Sequence, residues 1–192
     1  MVLLNRIYTR AGDAGTTRLA SGETVSKASP RVAAYGDVDE LNAVIGIARL
    51  ETAGDEALDP ILARVQNDLF DLGADLATPP RKDGAPEALR ILAIQVDRLE
   101  REIDALNAHL APLQSFVLPG GSPAAARLHH ARTVCRRAER FAVGFLAEDG
   151  SGAHAEALRY LNRLSDLLFV MARAANAKGP GDVLWAPAAT RA

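Results

Sequence analysis

The residues best suited to chemistry lie in one run, His129-His130-Ala131-Arg132-Thr133-Val134-Cys135-Arg136-Arg137-Ala138-Glu139-Arg140. It reads as the middle of a long helix, roughly 123–146. Leu128, Ala131, Cys135, Ala138, Ala142 and Phe145 recur at three- and four-residue spacing and make one apolar stripe. His129, Arg132, Arg136 and Arg140 fall on a second stripe, with Glu139 at its edge. Arginines four apart on one face repel each other by a few tenths of a kcal/mol per pair. Two readings follow. The stripe is a solvated basic face with Glu139 pairing locally, or it answers an anion. A carboxylate or a polyphosphate suits the planar guanidinium fork.

Two other stretches carry chemical potential. Thr9-Arg10-Ala11-Gly12-Asp13-Ala14-Gly15-Thr16-Thr17-Arg18 holds two glycines, three threonines and two arginines. Glycines allow successive backbone N–H groups to point into one concavity, which favours an anion. The spacing is not that of a Walker A loop, so an ordinary turn is the competing reading. Lys27 follows alone. In Phe116-Val117-Leu118-Pro119-Gly120-Gly121 an apolar loop is either tucked against a core or offers Phe116 to a ligand.

The elements that must position these residues are helices. Residues 1–36 have glycines, hydroxyls and little helical period. Gly36-Asp37-Val38-Asp39-Glu40 is expected to open the first helix, with Asp37 and Glu40 as a capping box and Leu41, Ile45, Ala48 and Thr52 facing inward. A second helix is predicted from Asp59-Pro60, with Leu62, Val65, Leu69, Leu72 and Leu76 as its stripe. Residues 78–86 are too rich in proline to be helical. The third helix is predicted over 86–110 with Leu92, Val96, Leu99, Ile103, Leu106 and Leu110 inward. The fourth starts at Ser122-Pro123 and stops at residues 148–152. The fifth spans roughly 153–177, apolar nearly all round but interrupted by Asn162, Arg163 and Asp166. Gly179-Pro180-Gly181 ends it, and Asp182-Val183-Leu184-Trp185 should pack back. Strands have little support. The expected architecture is all-α, a five-helix bundle in one domain: an irregular segment 1–36, the bundle 37–178, and a tail 179–192.

Composition narrows the function classes. The 192 residues are 48% hydrophobic and 24% charged, enough for one real core, and the net charge is -2. Nothing in that balance asks for nucleic acid or an anionic membrane. No apolar run spans a bilayer, and residues 1–5 are too short for a signal peptide. A single cysteine, Cys135, fits a reducing cytoplasm and reads as packing. A ferritin-like metal bundle would need Glu-x-x-His pairs on facing helices, and the sequence has none.

Four separated regions together resemble the PduO-type ATP:cob(I)alamin adenosyltransferases. They are residues 7–17, the run Ala34-Tyr35-Gly36-Asp37-Val38-Asp39-Glu40-Leu41-Asn42, residues 116–121, and residues 129–140 followed by Tyr160-Leu161-Asn162-Arg163-Leu164-Ser165-Asp166. The resemblance implies a homotrimer with ATP bound between subunits. It implies that Thr9, Arg10, Ala11, Gly12, Thr17, Arg18 and Lys27 wrap the triphosphate. Arg136, Arg137, Ala138, Glu139, Arg140 and Asn162 of the neighbouring chain then complete the nucleotide site. Arg132 would pair with Asp39 across the interface, and Phe116 would occupy the lower axial side of the corrin cobalt. Arg10, Ala11 and Ala14 stand where the family commonly has lysine, threonine and lysine.

The implied reaction is attack of cob(I)alamin on the ribose 5′ carbon of ATP, with Mg²⁺ on the phosphates and release of triphosphate. It needs no protein nucleophile and no metal held by the protein. A reductase and an adenosylcobalamin-dependent enzyme are the further partners implied. The competing reading from the residues alone is a non-enzymatic helical sensor of ATP or phosphate.

Overall fold

The computed structural model describes residues 7–80 and 88–191. A short antiparallel hairpin, β1 (Thr16–Arg18) and β2 (Thr24–Ser26), precedes five helices: α1 (Pro30–Thr52), α2 (Asp59–Leu76), α3 (Ala93–Asn107), α4 (Pro123–Asp149) and α5 (Ala155–Ala175). The helical bundle is as expected, and the hairpin is a correction. Its three-residue strands pair Thr16 with Ser26, Thr17 with Val25 and Arg18 with Thr24.

The first helix begins at Pro30, well before Gly36. Ser29 is its N-cap, its Oγ accepting from the Val32 N–H at 3.4 Å, and Pro30 occupies the first turn. Asp37 is therefore inside the helix and caps nothing. The third helix is shorter than expected at both ends. Its predicted start at residue 86 lies outside the described residues, as do residues 1–5 and most of the predicted loop at 78–86. Leu92 is 58% exposed and ends the inward stripe; its N–H donates to Gln95 Oε1 at 2.9 Å, which starts α3 one residue later.

The other boundaries agree closely. Ser122 caps α4, with its Oγ accepting from the Ala125 N–H at 3.1 Å. Gly150, at φ +63, closes α4 in the left-handed conformation that a Cβ would strain.

The predicted stripes of α1, α2 and α4 are all buried. They pack in the order α2–α1–α4–α5–α3. The circuit closes through side chains: Tyr160 of α5 donates its hydroxyl to Asp68 Oδ2 at 2.8 Å, and Gln95 and Arg98 of α3 donate to the same carboxylate. Cys135 is fully buried and its thiol donates to the Leu161 carbonyl at 3.2 Å. Burial raises its pKa far beyond the physiological range, so it is not a nucleophile. The fifth helix is less enclosed than expected, since Asn162 and Asp166 are exposed and Arg163 pairs with Glu100 at 2.9 Å on the surface.

A second buried carboxylate locks the far end of the bundle. Asp75 accepts from Arg90 Nη1 at 2.7 Å and from the Ile91 N–H at 2.8 Å, and its Oδ1 lies 2.7 Å from His154 Nδ1. Burial pushes this carboxyl up, but the bonds from His154, Ile91 and Arg90 outweigh burial and hold it below its ordinary value. A depressed carboxyl stabilises the fold above the unfolded value near pH 4, and that contribution is lost as pH falls through the folded value. Asp75→Ala is expected to cost about 3–5 kcal/mol, because it leaves Arg90 half-buried without its partner. Urea denaturation of both proteins at pH 7 measures the loss, and an unchanged midpoint would remove the network from the stability argument.

Candidate functional site

The hairpin assembles the first part of the site. Lys27 follows β2 directly, and its N–H donates to the Gly15 carbonyl at 2.9 Å. This turns its side chain back over the loop: a Cβ placed on Gly12 would lie 2.9 Å from Lys27 Nζ and 3.2 Å from the Thr16 carbonyl. A side chain at Gly12 would displace the end of Lys27 and crowd the Thr16 carbonyl. Gly15 has φ +79, and the Gly15 N–H closes a turn onto the Gly12 carbonyl at 3.1 Å. Arg10 is also left-handed, at φ +64, with its guanidinium 5.7 Å from the Tyr8 ring centroid. The Thr9 hydroxyl accepts from the Ala11 N–H at 3.4 Å. Thr17 and Arg18 sit on β1, where pairing with β2 fixes their spacing from Lys27.

The second part is the arginine face of α4, and the structure sorts its residues onto different faces. Arg136 and Arg140 are exposed, Arg140 donating to the Arg136 carbonyl at 2.9 Å. Glu139 reaches α5, accepting from Asn162 Nδ2 at 2.9 Å. Arg137 points the other way, to α1, where its Nε donates to Asp37 at 2.8 Å and its Nη2 to Glu40. Ala138 is fully buried in the core.

Arg132 is half-buried, and its Nε is buried with no hydrogen-bond partner. Burial first, and then the charge of Arg136, lower its pKa. Both effects disfavour its cationic form, so an anion beside it would relieve an existing cost. His129, one turn earlier, is also buried, with both ring nitrogens unpartnered. Burial and then Arg132 push its pKa below the usual histidine range, with Asp182 opposing. Asp39 is exposed on α1 and lines a shallow groove with Tyr35, Phe70 and Gly73. Neither Asp39 nor Arg132 has an ion pair among the described residues.

The third part is a cavity of about 870 Å³ lined by Phe116, Val117, Phe169, Trp185 and Arg132. Phe116 is 77% exposed, so it is offered to the cavity rather than tucked into the core. Its ring centroid is 5.9 Å from that of Trp185, tilted by 58°. The tail does pack back, through one isolated antiparallel bridge between Val117 and Leu184. The Leu118 N–H donates to the Val183 carbonyl at 2.7 Å and the Trp185 N–H to the Phe116 carbonyl at 2.8 Å.

Phe169 and Trp185 as cavity walls were not legible in the sequence. The short apolar run Val183-Leu184-Trp185 was the available signal, but three residues are too few to distinguish a paired segment from a loop.

Within this chain the hairpin and Arg132 lie apart. The hairpin, through Leu19 and Val25, lies beside Phe145 and Asp149 at the end of α4. Arg132 is 13 residues earlier on that helix, about 20 Å away at 1.5 Å per residue. The pattern of the family called cobalamin adenosyltransferase matches residues 7–175. The chain belongs to that family.

Two relatives match over nearly their whole length. A corrinoid adenosyltransferase of Mycobacterium tuberculosis is 50% identical over 190 residues, 99% of this chain and 97% of that protein. One from Bacillus subtilis is 44% identical, covering 93% of this chain and 91% of its own. Among solved structures, a variant of the PduO-type ATP:corrinoid adenosyltransferase from Lactobacillus reuteri, complexed with cobalamin and ATP, superposes with a TM-score of 0.85. It is 38% identical and covers 94% of this chain and 99% of its own. Membership of the cobalamin adenosyltransferase family makes a nucleotide and a corrinoid the ligands against which the loop, the arginine face and the aromatic cavity are to be read.

Proposed function

We infer that this chain transfers the 5′-deoxyadenosyl group of ATP to cob(I)alamin, forming adenosylcobalamin and releasing triphosphate. The observation that carries this reading is the aromatic cavity with the under-compensated Arg132 in its wall and Arg136 one turn further on. A flat apolar ring system and a polyanion would be bound side by side there. The balance is simple. The cobalt electron pair forms the Co–C5′ bond, the C5′–O bond breaks, and its electrons leave on the triphosphate.

The protein's work is then positioning and charge neutralisation. Thr9, Arg10, Ala11, Gly12, Thr17, Arg18 and Lys27 of one subunit bind the phosphates. Arg136, Arg140, Glu139 and Asn162 of the next subunit close the nucleotide site. Arg137 and Ala138 support it from behind, Arg137 by tying α4 to α1. Mg²⁺ on the triphosphate supplies further neutralisation. Such an ion would be held mostly by the phosphates and water. Phe116 excludes water and base from the lower side of the corrin.

The separation of hairpin and Arg132 along α4 supports a site shared between subunits, in a homotrimer. Asp39 of one subunit and Arg132 of the next would each supply what the other lacks. Among the described residues no helix is long and apolar enough to cross a membrane. A cytoplasmic setting, a reductase and a recipient enzyme for the product belong to the same reading.

Mixing the protein with ATP, Mg²⁺ and chemically reduced cob(I)alamin tests the function. The absorbance should pass to that of adenosylcobalamin with one triphosphate released per turnover; tight ATP binding without this change would make the chain a nucleotide sensor. Asp39→Asn is expected to raise KM for the corrinoid roughly ten- to hundredfold, the loss of one charge-assisted bond. Unchanged kinetics and an unchanged sedimentation coefficient would dissolve the proposed pair.

A further inference from the structure

Phe116 raises a mechanical question. A ring 77% exposed in a loop is not held by packing, yet its proposed task requires a fixed position. Its backbone is fixed from two sides, and both lead to one buried polar knot at the end of α5. Arg173 and Asp182 have side chains only 7% and 2% exposed, and Arg173 Nε donates to Asp182 Oδ2 at 2.9 Å. Asn176, equally buried, donates from Nδ2 to Asp182 Oδ1 and to the Gly120 carbonyl, both at 3.2 Å. Its Oδ1 accepts from the Ser122 N–H at 2.9 Å. The fit is close: Gly121 has φ +100, and a Cβ there would overlap the Asn176 amide. Arg173 Nη2 donates to the Ala111 carbonyl at 2.8 Å, holding the segment that leads into the Phe116 loop.

Asp182 then launches the tail. The next three residues form the ladder with Val117 and Leu118, and the Ser115 hydroxyl donates to the Trp185 carbonyl at 2.7 Å. The knot thus grips the Phe116 loop directly at Gly120 and Ser122, and indirectly through the tail at residues 115–118.

We propose that Asp182, with Arg173 and Asn176, is a positioning residue for the corrin site, holding Phe116 against the lower side of the cobalt through the tail ladder. This rests on the role given to Phe116 above. The step it serves is the one-electron reduction of Co(II) to Co(I), with a reduced flavin as donor. Removing an axial donor favours this reduction, because Co(II) gains more from such a donor than Co(I) does. A displaced Phe116 would admit water or base and slow reduction, while leaving the subsequent attack on ATP largely intact.

The test compares Asp182→Asn and Phe116→Ala with the wild-type protein in two assays, one starting from cob(II)alamin and reduced flavin, the other from pre-reduced cob(I)alamin. The four-coordinate Co(II) fraction with ATP is read by absorbance and electron paramagnetic resonance. Asp182→Asn is expected to lose about tenfold or more in the first assay and less than about threefold in the second, with the four-coordinate fraction reduced and KM for ATP unchanged.

Trp185→Pro against Trp185→Ala isolates the ladder at an exposed position, since only proline removes the N–H bonded to the Phe116 carbonyl. The proline variant should show the larger split, and this pair decides the matter if Asp182→Asn does not fold. Equal losses in both assays, or a wild-type four-coordinate fraction in the Asp182 and Trp185 variants while Phe116→Ala loses it, overturn the proposal and leave the Phe116 role standing. No split in Phe116→Ala itself overturns that role and this inference with it.

Discussion

Phe116→Ala is expected to lower adenosylation from cob(II)alamin with a mild reductant by about a hundredfold or more, and from chemically made cob(I)alamin by less than about tenfold. The asymmetry follows from where the ring sits. It is exposed to a cavity of about 870 Å³ and touches Trp185 rather than the bundle core, so its removal leaves the fold and the arginine face intact. What changes is access to the cobalt. An apolar wall denies the metal an axial oxygen or nitrogen donor, and the hydrophobic shell around a metal is one of the levers that set its potential. For a one-electron couple, a tenfold change in equilibrium corresponds to about 59 mV. A hundredfold effect therefore asks the ring for roughly 120 mV, within what a change of axial ligand supplies. The two assays run side by side measure the effect. Equal losses would place Phe116 in corrin binding alone.

Arg136→Ala is expected to reduce kcat by about 10²–10³, the usual cost of one donor aimed at developing charge. Arg136 is exposed and has no ion pair among the described residues. Its neighbours Arg132 and Arg140 are cationic, so the folded chain gains nothing from its charge and removing it should not destabilise the helix. Its value lies with a ligand whose negative charge grows as triphosphate departs, and the loss should fall mainly on kcat rather than KM for ATP. Arg136→Lys keeps the charge and loses the planar fork; partial recovery would show that bidentate geometry contributes. Single-turnover kinetics with preformed cob(I)alamin, and circular dichroism for the fold, check the outcome. Wild-type turnover in Arg136→Ala would take this arginine out of the site.

Arg137 shows why adjacent arginines cannot be read alike from the chain alone. Successive helical residues are about 100° apart, so Arg136 and Arg137 must face different neighbours. Which of them meets carboxylates depends on α1, whose Asp37 and Glu40 are about a hundred positions away in sequence. Asp37 itself was expected to be a cap, and the capping-box pattern at Asp37 and Glu40 was real as a pattern. It was overridden because Ser29-Pro30 starts the helix earlier and leaves the two acids free to pair with Arg137.

The number of helices, the inward faces of α1, α2 and α4, the arginine stripe and the apolar Phe116 loop were determined by the sequence itself. These depend on the 3.6-residue period, on caps and on breakers, all of which act within a few residues. The tertiary structure alone decided that Lys27 folds over Gly12, that the tail bridges to the Phe116 loop through Val117 and Leu184, and that Trp185 and Phe169 wall the cavity. Strands of three residues carry too short a period to announce themselves, and their stability comes from a partner elsewhere in the chain. The distance along α4 between the hairpin and Arg132 was decided in the same way, by the packing of helices whose contacts no local pattern encodes.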